Sequence, residues 1–349
     1  MPGKRGRRLV VLMAGLTLIA ATATAEAATE RIAASKSRAV AGAPAGLGAT
    51  VAKKKKKKKK KGPVATTQSS QVAFGSGTTV SSVASCTGKT HISGGGFSVF
   101  PSFTPPGTGV RSVTSTSHPT GPTGWSASGS AFSTPLSSGG FTTYARCESN
   151  RVGKLAGILS SSVTLVPAQS QTFRFNCPPR THVLSGGYAG AGIVAFTPAP
   201  GNFRIIPLQS HRNGPSQWIV QASNSSNPQS TAATLTGYAI CEQNRKGRTV
   251  SEVSTFSALV NDARTTGDPT CTGKRHVVSG GFLLAPNAPG PAGIPVASID
   301  EFQPVGSKTW HLGLHESTLH ALPAGSSLQS FAYCAPNKPP KKKKKKRKR

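Results

Sequence analysis

The sequence predicts an all-β protein: three disulfide-closed antiparallel repeats of about 90 residues, with disordered lysine-rich segments around them. Three observations predict it. The chain of 349 residues holds 39 Gly and 27 Pro but only 6% aromatic residues, which favours short strands and many turns over long helices. The six cysteines, Cys86, Cys147, Cys177, Cys241, Cys271 and Cys334, are separated by 61, 30, 64, 30 and 63 residues, an alternation that marks a threefold repeat. Side chains alternate with period two. Phe173, Phe175 and Cys177 alternate with Arg174 and Asn176, while Trp218, Val220 and Ala222 share one parity, as do Leu235, Gly237, Ala239 and Cys241. Such runs, broken by Gly, Pro and Asn, are half-buried antiparallel strands. The repeats are expected to stand as tandem small β-sandwiches, or to form one threefold-pseudosymmetric prism or trefoil-like body.

Residues 1–27 read as a signal peptide. Lys4, Arg5, Arg7 and Arg8 precede the apolar run Leu9–Ala21, and Ala25-Glu26-Ala27 fits a small-x-small cleavage site. The apolar run is shorter than the ~20 residues of a membrane span, and no second one follows, so no transmembrane segment is expected. Residues 28–70 hold almost no large apolar side chains and read as a disordered linker. It carries the first basic block: Lys53, Lys54, Lys55, Lys56, Lys57, Lys58, Lys59, Lys60 and Lys61.

The repeats span 71–150, 151–244 and 245–337. Each opens on a matching string: Cys86-Thr-Gly-Lys-Thr-His91, Cys177-Pro-Pro-Arg-Thr-His182, Cys271-Thr-Gly-Lys-Arg-His276. Gly95-Gly96-Phe97, Gly186-Gly187-Tyr188 and Gly280-Gly281-Phe282 follow. One tryptophan comes next, Trp125, Trp218 or Trp310, 39, 41 and 39 residues after the first cysteine. Each repeat closes on aromatic-Ala-x-Cys-x-x-Asn, ending at Asn150, Asn244 and Asn337. A self-consistent repeat closes its own cysteine pair, so Cys86–Cys147, Cys177–Cys241 and Cys271–Cys334 are expected; the alternative joins Cys147–Cys177 and Cys241–Cys271. A loop of this size is worth roughly 4 kcal/mol in the chain-entropy model. Residues 338–349 form a basic disordered tail with Lys338, then Lys341, Lys342, Lys343, Lys344, Lys345, Lys346, Arg347, Lys348 and Arg349.

The Gly-Gly pairs read as sites of close backbone approach rather than a phosphate cradle, because no P-loop or dinucleotide pattern surrounds them. The tryptophans read as core, with sugar stacking as the functional alternative. His91, His182 and His276 share one repeat position. If they converge on a threefold axis they could ligate zinc or another late transition metal. The plainer expectation is that each packs beside the aromatic six residues on and bonds a carbonyl, with no cofactor. His311, His315 and His320 have no counterparts in the other repeats and read as chance neighbours or a weak surface site. Glu148 and Glu242 match, but Ala335 stands third; Asp300-Glu301 reads as a solvated turn. No nucleophile elbow or His-Glu-x-x-His motif occurs, and no thiol is left free, so no enzyme is expected.

The opening string, with its aromatic-Ala-x-Cys close, resembles a motif of uncharacterised secreted bacterial repeat proteins, Cys-x-x-Gly-x-x-Val-x-Gly-Gly-Gly. The match covers about 270 residues as three copies. It also resembles the vitelline membrane outer layer proteins, which implies a β-prism with internal threefold symmetry. His stands just before the Ile/Val position, and Pro179 replaces the expected glycine. Neither resemblance carries over a catalytic residue.

Charge is segregated. Of 42 Lys+Arg, 23 lie in the first eight residues, the 53–61 run and the tail, and the net charge is +32. The expected role is that of a secreted or cell-surface protein whose lysine blocks tether a β body to anionic polymers: polysaccharide, nucleic acid or anionic lipid. The alternative is a lectin-like module with three repeated sites, which requires exposed tryptophans.

Overall fold

The computed structural model describes residues 64–74, 78–100, 112–131, 139–191, 205–224, 232–244, 248–260, 263–285, 297–316 and 325–337. The chain divides between Lys59 and Lys60, and all of these residues belong to the second unit. The expected signal peptide, both lysine blocks and His320 lie outside them.

The described residues form eighteen strands and no helix, six strands per repeat. Repeat one holds β1 (Ala65–Phe74), β2 (Thr79–Ser85), β3 (Thr90–Phe100), β4 (Ser112–Pro119), β5 (Gly124–Ala131) and β6 (Gly139–Ser149). Repeat two holds β7 (Leu155–Leu165), β8 (Ser170–Asn176), β9 (Thr181–Ala191), β10 (Ile205–Asn213), β11 (Gln217–Asn224) and β12 (Ala233–Gln243). Repeat three holds β13 (Ser251–Ala258), β14 (Arg264–Gly267), β15 (Arg275–Ala285), β16 (Ala297–Val305), β17 (Thr309–Glu316) and β18 (Ser327–Pro336). Among the described residues no helix is long and apolar enough to cross a membrane.

The repeats are not tandem sandwiches. Each six-stranded sheet takes three strands from one repeat and three from another, in the orders β1-β6-β3-β16-β17-β14, β7-β12-β9-β4-β5-β2 and β13-β18-β15-β10-β11-β8. Equivalent junctions join the halves: Phe97 opposite Phe302, Tyr188 opposite Ser117, and Phe282 opposite Ser210. Every repeat therefore completes sheets with both of the others, and the three close into one prism. A single hydrophobic cluster draws on all three. The disulfides Cys86–Cys147, Cys177–Cys241 and Cys271–Cys334 each close one repeat.

The Gly-Gly pairs have two separate jobs. A Cβ at Gly95, Gly186 or Gly280 would fall inside the indole of Trp125, Trp218 or Trp310, so the first glycine seats the tryptophan of its own repeat. At Gly96, Gly187 and Gly281 it would strike the Phe302, Ser117 and Ser210 carbonyl oxygens. The second glycine thus admits the backbone of the neighbouring repeat at the junction.

One expectation needs correction. The stretch assigned to a disordered linker, 28–70, includes residues 65–70 of β1. They are Ala65-Thr-Thr-Gln-Ser-Ser70, without a large apolar side chain, but β1 pairs with β6 from Ala65↔Glu148 to Phe74↔Gly139, so backbone hydrogen bonds hold an edge strand that needs little apolar surface. Pro179 also shifts a turn. Gly88 and Gly273 take φ of 66° and 60° before their histidine strands, but proline cannot, and Arg180 takes φ 65° instead.

Candidate functional site: a buried histidine–glutamate centre

The three motif histidines meet two carboxylates where the repeats converge. A bulge sets which way the histidines face. In β3 against β6 the register jumps between Ile92 and Gly94, and β9 and β15 carry the same irregularity against β12 and β18. One extra residue inverts the alternation. His91 therefore shares a face with Gly94 and Gly96, not with Phe97, which corrects the expectation that each histidine packs on the aromatic six residues on. The bulged segments touch across repeats: Ser93 Oγ donates to Val278 O at 2.8 Å, and Ser279 Oγ donates to Leu184 O.

The repeat motif fixes the ring orientation. Nδ1 of His91, His182 and His276 lies 2.7, 2.7 and 2.9 Å from Oδ1 of Asn150, Asn244 and Asn337. A carbonyl oxygen only accepts, so each Nδ1 carries its proton. The same asparagines are anchored by their own N–H groups on Lys89 O, Arg180 O and Lys274 O. Each Nε2 then points inward. His276 Nε2 donates to Glu148 Oε1 at 2.6 Å. His182 Nε2 lies 2.9 Å from Glu242 Oε2, out of line for a hydrogen bond, and His91 Nε2 lies 3.8 Å from Glu242 Oε1. The antiparallel ladders repeat one arrangement: Glu148 stands opposite His91, Glu242 opposite His182, and Ala335 opposite His276.

Arg248, in the irregular segment of repeat three ahead of β13, bridges the carboxylates. Its Nε donates to Glu242 Oε2 at 2.7 Å and its Nη2 to Glu148 Oε2. Burial disfavours the guanidinium charge, but the two carboxylates outweigh it and raise its pKa. Burial likewise disfavours the Glu148 charge; the His276 hydrogen bond and the Arg248 charge overcome it and hold the carboxyl at about 2. Arg146 closes one flank, donating to Val277 O at 2.8 Å, Thr67 Oγ1 at 2.9 Å and Ser307 O at 3.4 Å. Desolvation brings it down to about 10, against the pull of Glu148. Gly153 packs so tightly on Glu242 Oε1 that no side chain fits there.

The sequence named the histidines but not their partners. Glu148 and Glu242 were legible as the residues after the second cysteine; Arg248 follows Asn244 as Lys154 follows Asn150, and no repeat signal marks it as buried. The tryptophans are core, at 0–1% exposure. Asp300-Glu301 is no solvated turn: β16 bulges between Ile299 and Glu301, Asp300 is buried, and Glu301 pairs with Arg264 at 2.5 Å and His311 at 2.8 Å. His311 also meets Asp268 at 2.7 Å, whereas His315 sits elsewhere along β17.

Fold and centre together define a class: a disulfide-closed, three-repeat β-prism with its titratable chemistry turned inward. Three disulfides suit an oxidising, extracellular-type environment. No protein-family model matches this chain, and no curated protein is similar to it at a significant level.

Proposed function

We propose that the chain is an exported, non-enzymatic surface or matrix protein in which lysine-rich segments tether a rigid β body to an anionic polymer. The observation that carries this reading is charge segregation: 23 of 42 basic residues sit in three short blocks, while the stretch from Gly62 to Asn337 carries a net charge of only +8. The basic n-region and apolar run of residues 1–27 support export. The blocks contain no aromatic residues, so they bind anionic chains by counterion release, without base stacking or sequence preference. Polysaccharide, nucleic acid and anionic lipid surfaces share that chemistry. The lectin-like alternative loses its main support, because Trp125, Trp218 and Trp310 are too buried to stack on a sugar.

The test is retention on an anionic wall fraction or a heparin-type resin, over a salt gradient, for the mature protein and for a version lacking residues 53–61 and 338–349. The full protein should elute late, and the shortened one near the start of the gradient. Equal retention at low salt overturns the tether.

A further inference from the structure

The geometry points to a new metal site: a late first-row divalent cation, zinc foremost, held by His91, Glu148 and Glu242, with His182 beside them. The ligand atoms of His91, Glu148 and Glu242 lie within 4.8 Å of one another. All three residues are buried, at 4%, 0% and 0% exposure. The independent sign of a missing partner is that His91 Nε2, His182 Nε2 and Glu242 Oε1 make no hydrogen bond although they are out of reach of solvent. Leaving buried polar atoms unpaired is costly.

Protons do not resolve this arrangement as well as a cation does. With Nδ1 donating to Asn150, His91 turns a lone pair toward a carboxylate oxygen 3.8 Å away. That gap is too long for a hydrogen bond. It suits two ligands on one ion: bonds of about 2.0–2.2 Å at a tetrahedral angle separate the donor atoms by roughly 3.4 Å. Each candidate imidazole already has the outer hydrogen bond that ligating histidines ordinarily make, here to Asn150 and Asn244. Imidazole with carboxylate favours zinc and its neighbours over calcium or magnesium, and the cysteines are committed to disulfides. Arg248 occupies the Oε2 atoms of both glutamates. It orients them and leaves Glu242 Oε1 for the ion, whereas Glu148 Oε1 already accepts from His276 Nε2 at 2.6 Å and would serve the ion with its second lone pair; the Arg248 charge competes with the metal.

That competition sharpens the test. The full exported protein is produced in zinc-supplemented medium, so that disulfides form before metal is measured. Elemental analysis, and thermal unfolding with and without added zinc, are compared across variants. We expect about one zinc per chain, a higher unfolding temperature with zinc, and loss of at least tenfold in affinity for His91→Gln and Glu242→Gln. His311→Gln, at the surface, should bind as the parent does. Arg248→Gln should show a larger zinc-induced stabilisation than the parent, since an internal competitor is gone. Zinc content that falls only in His311→Gln, or no zinc in any form, overturns the site. If Glu242→Gln is not exported, anomalous diffraction from parent crystals decides. A zinc peak about 2 Å from His91 Nε2 and Glu242 Oε1 supports the site, and its absence there rejects it.

Discussion

The tryptophan layer and the histidine–glutamate centre are built on the same threefold repeat and treat it in opposite ways. In the tryptophan layer every copy has the same seat: Trp125, Trp218 and Trp310 each lie on a glycine of the same motif. In the centre the histidines repeat but the acids do not, and Ala335 stands where Glu148 and Glu242 have their counterpart. The difference is one of sign. Apolar contacts accumulate without penalty, so a packing solution that works once works three times. Like charges brought to one buried point repel and lose hydration together. A third carboxylate would have had to share a site with two others. The chain omits it and brings in Arg248 from the irregular segment ahead of β13. Pseudosymmetry is kept where matter packs and broken where charge gathers.

The largest effects are expected where this contrast is tightest. Gly96→Ala should cost more than about 4 kcal/mol and abolish recovery of folded protein, because its Cβ would occupy the Phe302 carbonyl oxygen and backbone cannot yield there. Gly281→Ala meets Ser210 O at 2.8 Å and should be milder; comparison of the yield of disulfide-closed protein and of the unfolding temperature tells whether the three junctions are equally tight. In the centre, Arg248→Gln should cost about 3–5 kcal/mol in metal-free protein, since it leaves two buried carboxylates with less compensation. Ala335→Glu restores the repeat and should still destabilise, because His276 already serves Glu148 at 2.6 Å. A stabilising Ala335→Glu would remove the charge explanation for the broken symmetry.

The legible part of the molecule follows the same division. Repeat length, disulfide pairing, buried tryptophans and the use of the glycines could be read from the chain, because a residue needed for packing recurs at fixed spacing. The exchange of half-sheets between repeats could not. Strand pairing depends on which edges meet, and Phe97 opposite Phe302 joins residues far apart in sequence with no local signal. The centre was half legible. His91, His182 and His276 stand out, but a one-residue bulge reverses their facing, and period-two reading assumes that no residue is extra. Arg248 lies in an irregular segment and belongs to no copy of the motif.

Within the tryptophan layer one copy departs from the others in a smaller way. Trp125 and Trp218 each donate from Nε1 to a serine, Ser117 and Ser210, at 3.1 Å. At the matching place repeat three has Phe302, packed edge-on at 5.2 Å, and Trp310 Nε1 has no hydrogen-bond partner. Trp125→Phe removes a donor from a buried serine, whereas Trp310→Phe removes a donor that bonds nothing. Trp310→Phe should therefore be milder by about 1 kcal/mol in denaturant unfolding. Equal losses would mean that indole volume alone matters in all three copies.

The smallest effect separates the centre from the surface by the direction of its pH dependence. His311 donates to Glu301 at 2.8 Å and Asp268 at 2.7 Å. The Glu301 hydrogen bond raises its pKa above 6.5, burial opposes, and Asp268 adds to the rise. A raised histidine stabilises the fold below about pH 6.5, and the contribution disappears as pH climbs through the folded value. Glu148 works in reverse: held at about 2 against an ordinary 4.5, it contributes above pH 4.5 and loses that contribution as pH falls toward 2. Metal-free protein should thus weaken slightly on the alkaline side of pH 6.5 and more strongly in acid. His311→Gln should flatten only the alkaline change, by less than about 1 kcal/mol for a partly solvated pair. Unfolding midpoints of parent and variant between pH 3 and 8 check this. An alkaline change that survives His311→Gln would show that the surface pair is not its source.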